Sequence, residues 1–125
     1  MSETKKQSHG IFTYLRRFLT NKETYASGES GWAMLNISSP LTILDITIQC
    51  PEKTFIVGEI DCGDAAFVLT GEVRAESFSP KLKNREFEKQ QMQRGDTVIV
   101  RFRNVYSDKD EPIDIVAKVA QERST

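Results

Sequence analysis

The first pattern along the chain is a short amphipathic one near the N-terminus. Residues 1–8 are polar and are expected to form a mobile tail. After them, apolar side chains recur with the spacing of one helical face, at Ile11, Phe12, Leu15, Phe18 and Leu19. This spacing predicts an amphipathic helix of about ten residues, with Arg16 and Arg17 on its other side. The Gly- and Ser-rich residues 25–31 then indicate a linker.

After Gly31 the period of the pattern falls from near 3.6 to near 2, and β-branched residues become frequent. Turn residues separate six predicted strands: Trp32–Ile37, Leu41–Cys50, Thr54–Asp61, Ala65–Arg74, Thr97–Tyr106 and Ile113–Ala120. The short link Asp61–Asp64 contains a glycine and joins two well-patterned strands, which predicts a hairpin over residues 54–74. In its second strand, Phe67 and Leu69 are expected to face inward.

These elements predict a mainly β fold, either a small antiparallel β-barrel or a β-sandwich of about six strands, with an N-terminal amphipathic helix. The pattern does not choose between barrel and sandwich. The expected organisation is a tail and helix over residues 1–24, a linker over 25–31 and a β-domain over 32–122.

A long polar insertion, residues 77–95, precedes the fifth predicted strand. Its apolar residues recur at intervals of four and five, which spreads them around a helix: Phe78, Leu82, Phe87 and Met92. Loops of this length in a compact domain are more often functional or disordered than neutral. We therefore expect this insertion to be peripheral and to contribute to binding.

Charge is balanced in total but uneven along the chain. The 125 residues contain 17 Lys and Arg against 18 Asp and Glu, a net charge of −1, which argues against binding nucleic acid by bulk charge. Residues 45–76 carry seven acids against two bases, whereas residues 81–103 carry seven bases against three acids. Opposite charge in separate segments can support self-association or orient the protein on a charged partner.

The basic segment supplies the candidate anion-binding or nucleic-acid-binding residues. In the fifth predicted strand, Arg101 and Arg103 share the face opposite Val100 and Phe102. Cations beside aromatic rings are typical of a groove that binds single-stranded nucleic acid, although a solvated charged surface has the same composition. The complete set of candidates is Lys81, Lys83, Arg85, Lys89, Arg94, Arg101, Arg103, Phe87 and Tyr106.

Catalysis has no clear basis in this sequence. The single histidine, His9, lies in the predicted tail, and the sequence has no phosphate-binding loop, dinucleotide fingerprint or serine-hydrolase motif. The two cysteines, Cys50 and Cys62, form no CxxC pair, which argues against a zinc site. Residues 108–119 lack the glycine and the final glutamate of an EF-hand calcium loop. Glu59, Asp61 and Glu72 could form an acidic pair, but a solvated acidic face explains them better. We predict no enzyme activity, no catalytic residues, no metal and no cofactor.

Three placements of the predicted helix are open: over the open end of its own β-domain, in a groove of a partner subunit, or on a membrane surface. We expect a non-catalytic binding or assembly subunit in which the helix and the basic loop make protein–protein contacts. Its partner would be another protein or a second copy of the chain. The alternative is a single-stranded nucleic-acid-binding protein with an OB-like fold; membrane binding is the least favoured contact. The lack of a signal peptide or membrane span in the sequence favours the cytoplasm.

Overall fold

The structure, a computed structural model, describes residues 11–109 and 111–124, with the backbone alone at residues 11–16 and 124. Every regular element in these residues is a β-strand. In chain order they are β1 (Ile11–Arg17), β2 (Leu19–Thr20), β3 (Thr24–Tyr25), β4 (Ser30–Asn36), β5 (Leu41–Gln49), β6 (Thr54–Cys62), β7 (Ala65–Val73), β8 (Lys81–Lys83), β9 (Gln90–Met92), β10 (Thr97–Ser107), β11 (Ile113–Asp114) and β12 (Val116–Ser124).

The predicted strands are confirmed, and most of their bounds differ from the observed ones by two residues or fewer. The last one is divided between β11 and β12 and runs on to Ser124. The predicted hairpin is also confirmed, because β6 and β7 pair antiparallel from Thr54–Val73 to Cys62–Ala65. Leu69 is buried and Val68 is exposed, as the alternation predicts.

The strands form two main antiparallel sheets that are not closed into a barrel. Sheet A has the order β1-β12-β5-β8, with β9 also paired to β5, and sheet B has the order β2-β4-β10-β6-β7. The pairs β1–β12, β4–β10, β5–β8/β9 and β6–β7 are nested, as in one long hairpin whose tip is the β6–β7 turn. Rolling such a hairpin places β12 beside β5 and β10 beside β6, which is the pattern of a two-sheet jelly roll.

One core lies between the two sheets. Both sheets contribute fully buried aliphatic side chains, including Ile46 and Ile48 from sheet A and Ile60 and Val100 from sheet B. Burying an aliphatic side chain of this kind stabilises the fold by roughly 1.5–3 kcal/mol. This shared core fixes which face of each sheet points outward.

The predicted N-terminal helix is wrong. Residues Ile11–Arg17 form β1, which pairs with β12 over seven residues from Ile11–Ser124 to Arg17–Lys118. The segment is rich in aromatic and β-branched residues, and β12 offers it an unpaired strand edge, so tertiary pairing overrides a spacing that also fits a helix. The chain then crosses from sheet A into β2 of sheet B, with Phe18 buried between the two strands.

The insertion 77–95 is not peripheral. It supplies β8 and β9, which both pair with β5 and together complete sheet A. Leu82 and Met92 are buried in the core, whereas Phe78 is fully exposed. The spacing of apolar residues does not reveal β8 and β9, because two three-residue strands separated by a loop do not share one period.

Residues 25–31, predicted to be a linker, lie against the end of the core. Tyr25 is fully buried, and its ring packs edge-on against Phe102 at 5.1 Å between centroids. The backbone N–H of Gly28 donates to the carbonyl of Asn104, whose own N–H donates to the carbonyl of Glu29. This segment is therefore tied to β10 by reciprocal hydrogen bonds.

Candidate functional site

The outward face of sheet B carries an unusual number of apolar side chains. Side chains directly opposite one another on paired antiparallel strands lie on the same face, so the register identifies the members of this face. We call the following set the sheet B face: Leu19, Ser30, Trp32, Met34, Asn36, Phe55, Val57, Glu59, Asp61, Ala66, Val68, Thr70, Glu72, Thr97, Ile99, Arg101, Arg103 and Tyr106. Four of the five exposed large apolar side chains of the described residues belong to it: Leu19, Trp32, Val68 and Tyr106.

A shallow groove of about 740 Å³ crosses the sheet B face. It lies over the middle strands β4, β10 and β6, and Trp32, Arg101 and Arg103 are among its lining residues. Met34, Ile99 and Val57 contribute aliphatic side chains to its wall. The groove can therefore receive apolar groups along its length and anionic or acceptor groups at the two arginines.

Glycine at position 58 allows the strands under this groove to approach closely. Gly58 lies opposite Phe102 in the β6–β10 register. A Cβ atom there would overlap the carbonyl oxygen of Arg101 and lie 2.8 Å from the Cα of Phe102. Any larger residue must push β6 away from β10, so the shape of the groove depends on this glycine.

The two arginines of the groove differ in their contacts. Arg101 Nη1 lies 3.5 Å from Glu59 Oε1, and both side chains are more than half exposed, which makes this a weak, screened ion pair. Arg103 is exposed and makes no ion pair with any described residue. Arg103 is thus the cation of this face that remains available to another molecule.

An aromatic pair lies on the same face beyond the groove. The rings of Phe55 and Tyr106 stack with centroids 5.9 Å apart and planes 10° from parallel. Tyr106 is 46% exposed, so one side of this stack is open to solvent. Because Tyr106 follows a β-bulge between Asn104 and Tyr106, its position is set by the strand irregularity and not by simple alternation.

The candidate basic residues are divided between the two sheets. Arg101 and Arg103 lie together on the sheet B face, as predicted, whereas Lys81 and Lys83 point outward from sheet A. Lys83 Nζ lies 3.1 Å from Asp45 Oδ2. Arg85 and Lys89 are exposed in the loop between β8 and β9, and Arg94 is exposed in the turn after β9. The structure therefore does not bring the predicted basic segment together as one surface.

The predicted aromatic partners also separate. Phe87 packs against Phe67 at 4.7 Å between centroids and is partly buried against the core, away from Arg101. Tyr106 alone of these two candidates lies on the sheet B face. The cations and rings that a nucleic-acid groove would use are thus fewer than the sequence predicts.

The predicted helix face does not exist as one surface. Phe18 is 3% exposed and Leu19 is 64% exposed, so these neighbours point to opposite sides of an extended segment. For Ile11, Phe12 and Leu15 the structure describes only the backbone, which belongs to β1. Of the five residues, Leu19 joins the sheet B face, opposite Met34.

The acidic residues considered for catalysis lie on an exposed face. Glu59 is in the groove beside Arg101, whereas Glu72 Oε2 lies 3.4 Å from Lys53 Nζ at the other end of the sheet. Asp61 Oδ1 accepts a hydrogen bond from the N–H of Gly63 at 3.1 Å. Each of the three carboxylates therefore contacts a different partner.

Both thiols are buried and free. Burial raises the pKa of the Cys62 thiol to about 11, and the charge of Asp61 adds to this effect. Burial also raises the pKa of Cys50. At neutral pH both residues are therefore protonated and act as small apolar groups.

Two absences complete the description of residues 11–109 and 111–124. No group of three or more His, Cys, Asp or Glu side chains is placed there to hold a metal ion. None of these residues forms a helix with the length and apolar character needed to cross a membrane.

The groove residues Trp32, Met34, Val57 and Ile99 were missed as candidates. Their signal was present, because in β4 the outward residues Trp32 and Met34 are as apolar as the inward residues Ala33 and Leu35. A strand that is apolar on both faces is expected to be covered on both.

In comparisons with known proteins, no family model and no curated protein matches the chain.

Proposed function

We propose that this protein is a non-catalytic assembly subunit whose copies contact one another through the sheet B face. The observation that carries the proposal is the apolar groove of about 740 Å³, bordered by exposed Trp32. A large contiguous apolar patch on the surface of a soluble domain commonly marks a contact site. The sheet B face thus takes the role in protein–protein contacts that the sequence pattern suggested for an N-terminal helix.

A second copy is the partner that suits the charges of this face. The face carries two cations, Arg101 and Arg103, around its apolar centre. It also carries three anions, Glu59, Asp61 and Glu72, of which Glu72 lies near Lys53. Two copies packed face to face can exchange these pairs, so that each arginine meets a carboxylate of the other copy. An anionic partner would instead meet repulsion from Glu59 and Asp61.

Sedimentation velocity on the full chain tests the proposal. We expect a native mass above 14.2 kDa that rises with protein concentration, and a lower mass for Leu19→Ser and Trp32→Ser. Phe78→Ser is the matched control, because Phe78 is fully exposed but lies outside the sheet B face. A chain that stays monomeric at its highest soluble concentration contradicts the proposal, as does equal loss of mass in the control.

The second candidate function is binding of single-stranded nucleic acid. It is favoured by one observation: unpaired Arg103 shares a face with Trp32 and with the open side of the Phe55–Tyr106 stack. Phosphates could contact the arginine while bases stack on the exposed rings. The acidic residues of the face oppose this function, which is why we rank it second.

A fluorescence anisotropy titration with a labelled pyrimidine oligonucleotide tests this second function. The double variant Arg101→Ala/Arg103→Ala should weaken binding and reduce the slope of log K against log salt by about 1.4. The control Lys81→Ala/Lys83→Ala removes two cations from the opposite sheet and should leave that slope unchanged. Absence of binding at low salt rules the function out.

A further inference from the structure

Strand β7, which faces residues 82–86 across a cavity, is an edge of sheet B. It is nine residues long, and no described strand pairs with its outer side. Its sequence contains one charged residue, Glu72, and neither proline nor lysine. Long, flat, uncharged edges are the ones that other strands join.

The other outer strands of the two sheets are protected against such pairing. β2 is only two residues long, and β8 has three residues, of which Lys81 and Lys83 are two. β1 ends with two arginines. Short length and cationic residues are ordinary means of preventing edge pairing, and β7 has neither.

The backbone of β7 offers hydrogen-bonding groups to this open side. Cys62 and Ala65 pair across the two-residue turn at Gly63 and Asp64, so the odd-numbered residues of β7 bond to β6 and the even-numbered residues face away. No described residue forms a hydrogen bond with the outward backbone groups of Ala66, Val68 or Thr70. An added strand could satisfy them.

A buried donor lies beside the same edge. A cavity of about 480 Å³ separates Val68 and Thr70 of β7 from residues 82–86. Asn84 lines this cavity and is 9% exposed; its Oδ1 accepts from the N–H of Glu86, whereas its Nδ2 has no hydrogen-bond partner. A buried donor without an acceptor is costly, and the carbonyl groups of an incoming strand are suitable acceptors.

We propose that β7 pairs antiparallel with β7 of a second copy, on a two-fold axis at Leu69, which joins two sheets B into one ten-stranded sheet. In this register the outward-facing residues Val68 and Thr70 oppose each other as bonded pairs, as do Ala66 and Glu72. The edge is therefore complementary to itself.

Charge complementarity selects this register. Just beyond the two ends of the strand, Asp64 of one copy lies opposite Arg74 of the other, and the two-fold axis repeats the pair. Both residues are exposed, and neither makes an ion pair with a described residue. Centring the axis one residue earlier, at Val68, would place Asp64 opposite Glu72 and is disfavoured.

A charge exchange at this pair tests the proposal. Asp64→Arg and Arg74→Asp should each weaken dimerisation roughly tenfold, because each places like charges opposite one another twice. The double variant Asp64→Arg/Arg74→Asp should restore the dissociation constant to within about threefold of the original. Glu23→Arg is the control for a change of charge elsewhere on the surface.

A second variant tests the backbone contact independently of charge. Thr70→Pro removes an N–H that faces the open edge and leaves the bonds between β7 and β6 in place, so the monomer should fold and dimerise less. Circular dichroism of the monomer checks the fold. If that fold is lost, the charge exchange alone decides.

These experiments separate this edge contact from the sheet B face contact. Failure of the double variant to recover dimerisation overturns the β7 pairing. If Trp32→Ser still lowers the native mass in that case, the proposed function stands without the edge contact. If the charge exchange works but Trp32→Ser has no effect, the copies associate through β7 and the face contact is wrong.

Discussion

The outward faces of the two sheets differ in chemical character. Along β5 of sheet A the outward residues include Thr42, Thr47 and Gln49, and the neighbouring strands add Lys83 and Lys118. On sheet B the equivalent positions include Trp32, Met34, Val57 and Ile99. Strands of both sheets alternate between buried and outward side chains. This alternation identifies the residues of the core, but it does not show which outward face is the more apolar.

The outward faces of the two sheets also differ in their stability in water. A polar face of threonine, glutamine and lysine is stable in water as it is. Covering an exposed indole beside aliphatic side chains, in contrast, lowers the free energy of the protein. Sheet B also ends in β7, a nine-residue edge strand with one charged residue, while sheet A ends in the lysine-bearing β8. These two features are the reason why both proposed contacts lie on sheet B.

The largest expected effect is on the stability of sheet B itself. Gly58→Val should destabilise the protein by about 3 kcal/mol or more, because the new side chain overlaps the backbone of Arg101 and Phe102. Gly63→Ala is the comparison: its Cβ meets nothing within 4 Å, and its cost of about 1 kcal/mol arises from the φ of +73° alone. Urea unfolding measures both. Equal losses would show that β6 and β10 are not closely packed.

The buried thiols give a smaller, pH-dependent effect. Because burial raises the pKa of Cys62 from 9.0 to about 11, the folded state holds this proton longer than the unfolded state. Stability from this group is therefore complete below pH 9 and falls by about 2 kcal/mol as pH rises to 11, once residual contact with water is allowed for. Cys62→Ala should remove this part of the pH dependence in urea unfolding. An identical slope in the variant would contradict it.

The contrast in apolar character can be measured directly with a dye. The double variant Met34→Thr/Ile99→Thr should reduce the fluorescence of bound anilinonaphthalene sulfonate to about half, since the groove loses its aliphatic wall. Thr47→Ser on sheet A is the matched control and should leave the signal unchanged. If the control changes the signal as much, the dye does not distinguish the faces.

The smallest expected effects concern the ion pairs on the two faces. Arg101→Ala on sheet B and Lys83→Ala on sheet A each remove an exposed pair and should change stability by no more than about 0.5 kcal/mol. Thermal unfolding at low and high salt measures both. A larger loss for Arg101 would mean that the Arg101–Glu59 pair organises the groove.

The sequence was sufficient for elements whose pattern is local and repeated. β5, β6, β7 and β10 alternate over nine to eleven residues, and their positions and inward faces were predicted. β1 was not, because its apolar spacing fits a helix equally well and the choice is made by pairing with β12, more than 100 residues away. β8 and β9 are too short to show a period.

The candidate site was predicted in part for a related reason. Arg101 and Arg103 share one face of β10 because they are two residues apart, which the sequence shows. The neighbours of these arginines depend on strand order, which places Trp32 on one side and Glu59 on the other. Lys81 and Lys83 were grouped with the arginines because they are close in sequence, but β8 belongs to the other sheet.

Trp32 provides the most direct test of the claim that the sheet B face is a contact surface. It is the only tryptophan of the chain and borders the groove at 40% exposure, so its fluorescence reports on that face alone. As protein concentration rises and the native mass increases, the emission should shift to shorter wavelength and acrylamide quenching should fall. An increase in mass with unchanged emission and quenching would show that the copies associate elsewhere.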